Sequence, residues 1–151
     1  MTTTTLSTHQ ARARADYLNI TLWTFQGWIA MFFIAAGYAK LSEPMENLIV
    51  LMQWPAAASE AFVRGLGVAE IVLAAMVLAP LVSWRFGRPL LLTAAAGLLV
   101  LETIALGVHA FGLDLGLSLT NVFLLAITAP VLWLRRRIAE RFCGSASPPP
   151  P

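Results

Sequence analysis

Few residues in this chain can do chemistry, and they stand out because almost everything around them is apolar. Lys40, Arg64, Glu70, Glu102, His109 and Asn121 lie in or at the edges of long hydrophobic stretches. A charge near the centre of a bilayer costs about 2.5–3.5 kcal/mol on insertion scales, so such groups pair, line a polar pocket or bind something. Glu70 and Glu102 could exchange a proton, because desolvation disfavours the ionised form of a carboxyl that has no partner. Equally, they could be structural partners of Lys40 and Arg64. Other chemistries are poorly supplied. There is one cysteine, Cys143, so no thiol pair exists, and His9 and His109 are the only histidines. That is a thin basis for any metal or haem site. The chain also carries no flavin or dinucleotide fingerprint. No catalytic residue, metal site or intrinsic cofactor is therefore expected.

Spacing brings these groups together. Gln26, Ala30, Phe33, Gly37 and Lys40 follow one helical stripe, and Gly67, Glu70 and Ala74 follow another. Glu102 and His109 are seven residues apart, as are Asn121 and Thr128, which is about two turns on one helix face. Small residues beside polar ones let helices approach and polar groups pair. A candidate polar pocket follows, formed by Lys40, Arg64, Glu70, Glu102, His109 and Asn121.

The elements that must position these residues are membrane spans. Of the 151 residues, 58 % are hydrophobic and 12 % charged, about half the charge of an ordinary soluble domain. Four apolar stretches run over Leu22–Lys40, Gly65–Val82, Leu90–Phe111 and Leu117–Leu134, each near the ~20 residues needed to cross a bilayer. The first is too long for the apolar region of a signal peptide. The expected fold is all-α: a four-helix transmembrane bundle over residues 21–135, between disordered cytoplasmic tails at 1–20 and 136–151. Between the first two spans, Pro44, Pro55 and the apolar run Leu48–Met52 predict a short interfacial helical segment. Pro89 is expected in the first turn of the third span and Pro130 inside the fourth.

Charge sets the expected orientation. Arg12, Arg14, Arg85, Arg88, Arg135, Arg136, Arg137 and Arg141 all fall on one side of a four-span chain. Lys40 and Arg64 fall on the other. The positive-inside rule then predicts both termini in the cytoplasm and a multi-pass protein of the cell membrane (the inner membrane in a bacterium). On that topology the polar residues gather in the outer half, with Glu70 about 8 Å and Glu102 about 13 Å from their helix ends. The run Arg135–Arg137 reads as a topology anchor and anionic-lipid contact, and no nucleic-acid partner is expected.

Gly37-Tyr38-Ala39-Lys40-Leu41 at the close of the first span resembles the Gly-x-x-Lys-Leu signature of the DoxX-like family of small membrane proteins. Arg64-Gly65-Leu66-Gly67-Val68-Ala69-Glu70 resembles that family's Arg…Gly-x-x-Glu opening of its second helix, and His109 fits near the outer end of the third. Glu102 matches no position of that pattern. The resemblance spans about residues 21–135 and implies a four-helix membrane subunit. Some relatives are linked to quinone-coupled or redox-stress oxidoreductase systems. The leading expectation is a non-catalytic subunit or accessory protein with a membrane oxidoreductase as partner, whose pocket residues Lys40, Glu70 and His109 contact a quinone headgroup, lipid or partner. Two alternatives stay open: a small proton-coupled transporter, working as a homo-oligomer through Glu70 or Glu102, and a purely structural anchor.

Overall fold

The computed structural model describes the backbone of residues 8–112 and 114–144 and the side chains of 8–112 and 114–138. Five helices account for nearly all of it: α1 (Thr8–Ser42), α2 (Met45–Met52), α3 (Glu60–Leu78), α4 (Trp84–Phe111) and α5 (Leu115–Gly144). Short 3₁₀ turns at Trp54–Ala57 and Ala79–Leu81 complete the chain order. Four segments, beginning at Thr8, Glu60, Trp84 and Leu115, are long and apolar enough to cross a membrane. The all-α four-span architecture is as expected, with α2 and the first 3₁₀ turn filling the long connection between spans one and two.

The helices close into a ring in which α1 packs on α3, α3 on α4, α4 on α5, and α5 back on α1. Each contributes a single narrow stripe. The buried positions of α3 are Val63, Gly67, Glu70, Ala74 and Val77, a strict 4-3-4-3 pattern, and α5 buries Leu124, Ile127, Thr128, Val131 and Arg135. Only a stripe is needed, because lipid is as apolar as leucine and gives no hydrophobic drive for a wider interface. The large residues outside it, such as Met31, Val72, Val100 and Phe123, stay exposed to the surroundings. The apolar core runs through Leu22, Ile29, Phe33, Ala74, Leu91, Leu98, Leu124 and Val131.

Several boundaries differ from expectation. α1 is helical from Thr8, where residues 1–20 were expected to be a disordered tail. The stretch from Gln10 to Leu18 contains neither glycine nor proline and is rich in alanine and arginine, both good helix formers. Residues 1–7 lie outside the described residues. Likewise α5 continues to Gly144, past the expected tail boundary at 136, while residues 145–151 lie outside the described residues. Ser59 caps α3, its hydroxyl accepting from the Phe62 N–H at 3.3 Å, so that span begins a turn earlier than its apolar run.

Pro89 is not in the first turn of α4. That helix starts at Trp84, and Pro89 stands in its second turn, removing a hydrogen bond to the Arg85 carbonyl. The earlier start is possible because Gly87 lies flat against the Ala79–Pro80 backbone. A β-carbon there would collide with the Pro80 nitrogen and the Ala79 carbonyl. Pro130 lies inside α5 as expected. The end of the bundle holding the α1–α3 and α4–α5 connections is called the Lys40 end below, and the opposite one the Arg135 end.

Candidate functional site

A close crossing of α1 and α3 sets the first polar group. Gly37 of α1 faces Gly67 of α3. A β-carbon on Gly37 would stand 2.6 Å from the Gly67 carbonyl oxygen, and one on Gly67 would stand 2.8 Å from the Gly37 oxygen. Neither separation is possible for a real side chain, so this crossing requires glycine on both helices. One turn further along each helix, Lys40 and Glu70 meet. The Lys40 ammonium donates to Glu70 Oε2 at 2.8 Å and Oε1 at 3.0 Å, with the two side chains only 6 % and 9 % exposed. Each charge cancels the other where neither could stand alone.

Arg64 completes this corner differently from a salt bridge. Its Nη1 donates to the main-chain carbonyls of Lys40 and Glu43, the latter at 2.8 Å. The last carbonyls of a helix have no intrahelical partner and carry partial negative charge, so Arg64 acts as a cap that α3 supplies to α1. Its Nε and Nη2 also reach Glu60 at 3.3 and 3.1 Å. That pair is exposed and adds little.

A second group joins α4 to α5. Glu102 is 1 % exposed and Thr128 fully buried, and the threonine hydroxyl donates to Glu102 Oε1 at 2.7 Å. The other carboxyl oxygen, Oε2, is buried without a partner among the described residues. Glu102 and Glu70 lie at roughly the same depth. Leu73 of α3 sits over Gly97 of α4, and from that level the two carboxyls are five and three residues along, a difference of about 3 Å in height.

The remaining candidates stand apart. His109 is buried at 8 % exposure, and its ring makes no hydrogen bond among the described residues. Asn121 is half-buried, and its amide donates to the Leu117 carbonyl one turn back in its own helix, at 2.8 Å. Of the six residues singled out in the sequence, Lys40, Arg64 and Glu70 therefore form one network. Glu102 belongs to another, while His109 and Asn121 are drawn into neither. An open groove of about 520 Å³ on the bundle surface is apolar, lined by Gly27, Ala30, Met31, Ile34, Tyr38 and Leu78 among others. None of the six lines it.

The third group, at the Arg135 end, is one that sequence reasoning missed. Arg135 was expected to be a lipid-facing anchor, yet it is 4 % exposed. Its Nε donates to Gln26 Oε1 at 2.9 Å and its Nη1 to Asn19 Oδ1 at 3.0 Å. The guanidinium lies over the rings of Trp23 and Trp84, 5.2 and 5.3 Å from their centroids, within cation–π range. Gln26 also donates to the Val77 carbonyl at 3.1 Å. Arg135 and Gln26 together thus link all four spans. A signal for it existed: Asn121, Thr128 and Arg135 recur every seven residues, and Asn19, Gln26 and Lys40 fall on the same seven-residue period. Among the described residues no three His, Cys, Asp or Glu side chains are grouped as a metal site would require.

Four apolar spans, a glycine crossing and buried polar links between neighbouring helices define a small helical membrane bundle. The family model for the DoxX-like family matches residues 24–131, more than two thirds of the chain, and the protein belongs to that family. No significant match is found among curated proteins or among solved structures.

Proposed function

We propose that this protein is a non-catalytic membrane subunit or accessory protein of a redox system, docked to an oxidoreductase that carries the cofactors. The observation that carries the non-catalytic part is the pairing of Lys40 with Glu70. Lys40 and Glu70 are occupied with each other and shielded, and Arg64 is engaged with main-chain carbonyls. These groups hold helices together. The redox part rests on the resemblance to DoxX-like relatives linked to quinone-coupled and redox-stress complexes. A quinone headgroup, lipid or partner helix would be met at the Lys40 end, where the His109 ring has unused hydrogen-bonding capacity. The arginine-rich end would face the cytoplasm, in the cell membrane, following the charge asymmetry.

The test is native co-purification. A tagged chain expressed at its own level and extracted gently is expected to bring down a stoichiometric oxidoreductase, identified by mass spectrometry. Native complexes that never contain one overturn the proposal. A second reading, a proton-coupled transporter built from two copies, is favoured by Glu102, whose Oε2 has no partner. Solute flux in proteoliposomes that survives loss of both Glu70 and Glu102 carboxyls overturns that one.

A further inference from the structure

Among the described residues, Glu102 is the one buried carboxyl without an ion-pair partner. It sits nine residues from the end of α4 at Phe111, about 13 Å deep along a helix, with 1 % of its surface exposed. The charged and titratable groups on the elements around it are held by other partners or are distant, although Arg135 Nη2 is also buried without a partner among the described residues. From α3, Glu70 faces inward at similar depth, and both its oxygens are held by Lys40 of α1. From α5 comes Thr128, which does not titrate. Arg135 follows it only two turns later, about 10 Å along the helix, and is bound to Gln26 and Asn19. On α4 itself His109 is two turns away in the other direction, a similar distance.

One neutral hydrogen bond, from Thr128 to Oε1, leaves Oε2 bare in an apolar interior. An ionised carboxylate in that setting loses its hydration and gains almost nothing in return. A carboxylic acid fits the same geometry. Its carbonyl oxygen accepts from Thr128, and its hydroxyl occupies Oε2. We infer that Glu102 is a proton-binding site in mid-membrane, a neutral carboxylic acid at neutral pH with the proton on Oε2 and with Thr128 holding the carbonyl oxygen. The site's ligand is the proton itself. Glu70, one helix away at roughly the same depth, is its opposite: both its oxygens are held by the Lys40 ammonium. The inference holds whether or not an oxidoreductase partner exists, so the two can fail separately.

The test is infrared spectroscopy of the purified full chain in dodecyl maltoside micelles, which contain no carbonyl group, at neutral pH. The C=O stretch of a protonated carboxyl absorbs above the amide and carboxylate bands. The wild-type chain is expected to show one such band, sensitive to deuterium exchange, which disappears in Glu102→Gln and persists in Glu70→Gln. Thr128→Val removes the hydrogen bond to the carbonyl and is expected to shift the band to higher frequency without abolishing it. Should Glu102→Gln fail to fold, the Thr128→Val shift decides alone. A wild-type spectrum without the band overturns the inference, as does a band lost with Glu70→Gln or left unmoved by Thr128→Val.

Discussion

Replacing Lys40 by methionine keeps the length of the side chain and removes its charge, so it isolates what the ion pair does. Glu70 would be left 7 % exposed, beside a glycine crossing too tight to admit another group. Breaking a buried pair from one side costs about 3–5 kcal/mol, because the remaining charge is uncompensated. The unfolded reference chain in a membrane or micelle also finds partners, which places the expected loss at the lower end, about 3 kcal/mol, or about a hundredfold in the folding constant. Glu70→Leu should cost a similar amount for the mirror reason. The double substitution should cost clearly less than the two losses added, with an interaction energy of about 2 kcal/mol, inside the range found for residues in direct contact. The assay is denaturation by dodecyl sulfate in mixed micelles, followed by circular dichroism and by the fluorescence of the five tryptophans. Additive losses in the double variant would falsify the view that Lys40 and Glu70 stabilise the bundle as a pair.

Other substitutions probe the remaining contacts by the same assay. Gly67→Val forces α1 from α3, because even a β-carbon would lie 2.8 Å from the Gly37 oxygen; a loss of about 1–3 kcal/mol is expected from overpacking. Gly87→Ala should be markedly worse than Gly97→Ala. The first meets backbone at Ala79 and Pro80, while the second meets only the mobile tip of Leu73. Arg135→Gln should lower stability by at least about 1 kcal/mol, since Gln26 and Asn19 lose a charged donor. Arg85→Gln, on an exposed residue, should stay within about 0.5 kcal/mol. Single cysteines placed at Arg12 and at Glu46 should differ in labelling by impermeant reagents in spheroplasts, only Glu46 being reached if both termini are cytoplasmic.

The spans were legible because hydrophobic length is a one-dimensional property, and the stripes holding Gly37 and Gly67 because small residues recur beside Lys40 and Glu70, although their direct contact was not. The ends of the helices were less so. Polarity along residues 8–20 argues against burial but says nothing against a helix, and alanine and arginine continue α1 well beyond the apolar run. Among the site residues, composition could not separate an arginine that snorkels from one that is buried. Arg135 and its neighbours Arg136 and Arg137 look alike in sequence, and only the position on the α5 stripe, seven residues after Thr128, turns the first inward. For Asn121 the same seven-residue period was misleading. Its amide finds the Leu117 carbonyl of its own helix, a local partner that period alone does not reveal.

Because Arg135 makes contact with the side chains of Asn19, Gln26, Trp23 and Trp84, it bears on the order in which the chain is made. Synthesis delivers α1 and α3 first, and the Lys40–Glu70 pair matches the two charges buried between them. The second hairpin, α4 with α5, is joined by Glu102 and Thr128. Arg135 belongs to the fourth of these spans, and its hydrogen-bond partners Asn19 and Gln26 lie on the first. A chain halted before residue 135 would hold both hairpins without the clasp between them. Gln26 would then lack its charged donor, a buried amide oxygen left unpaired where the spans meet.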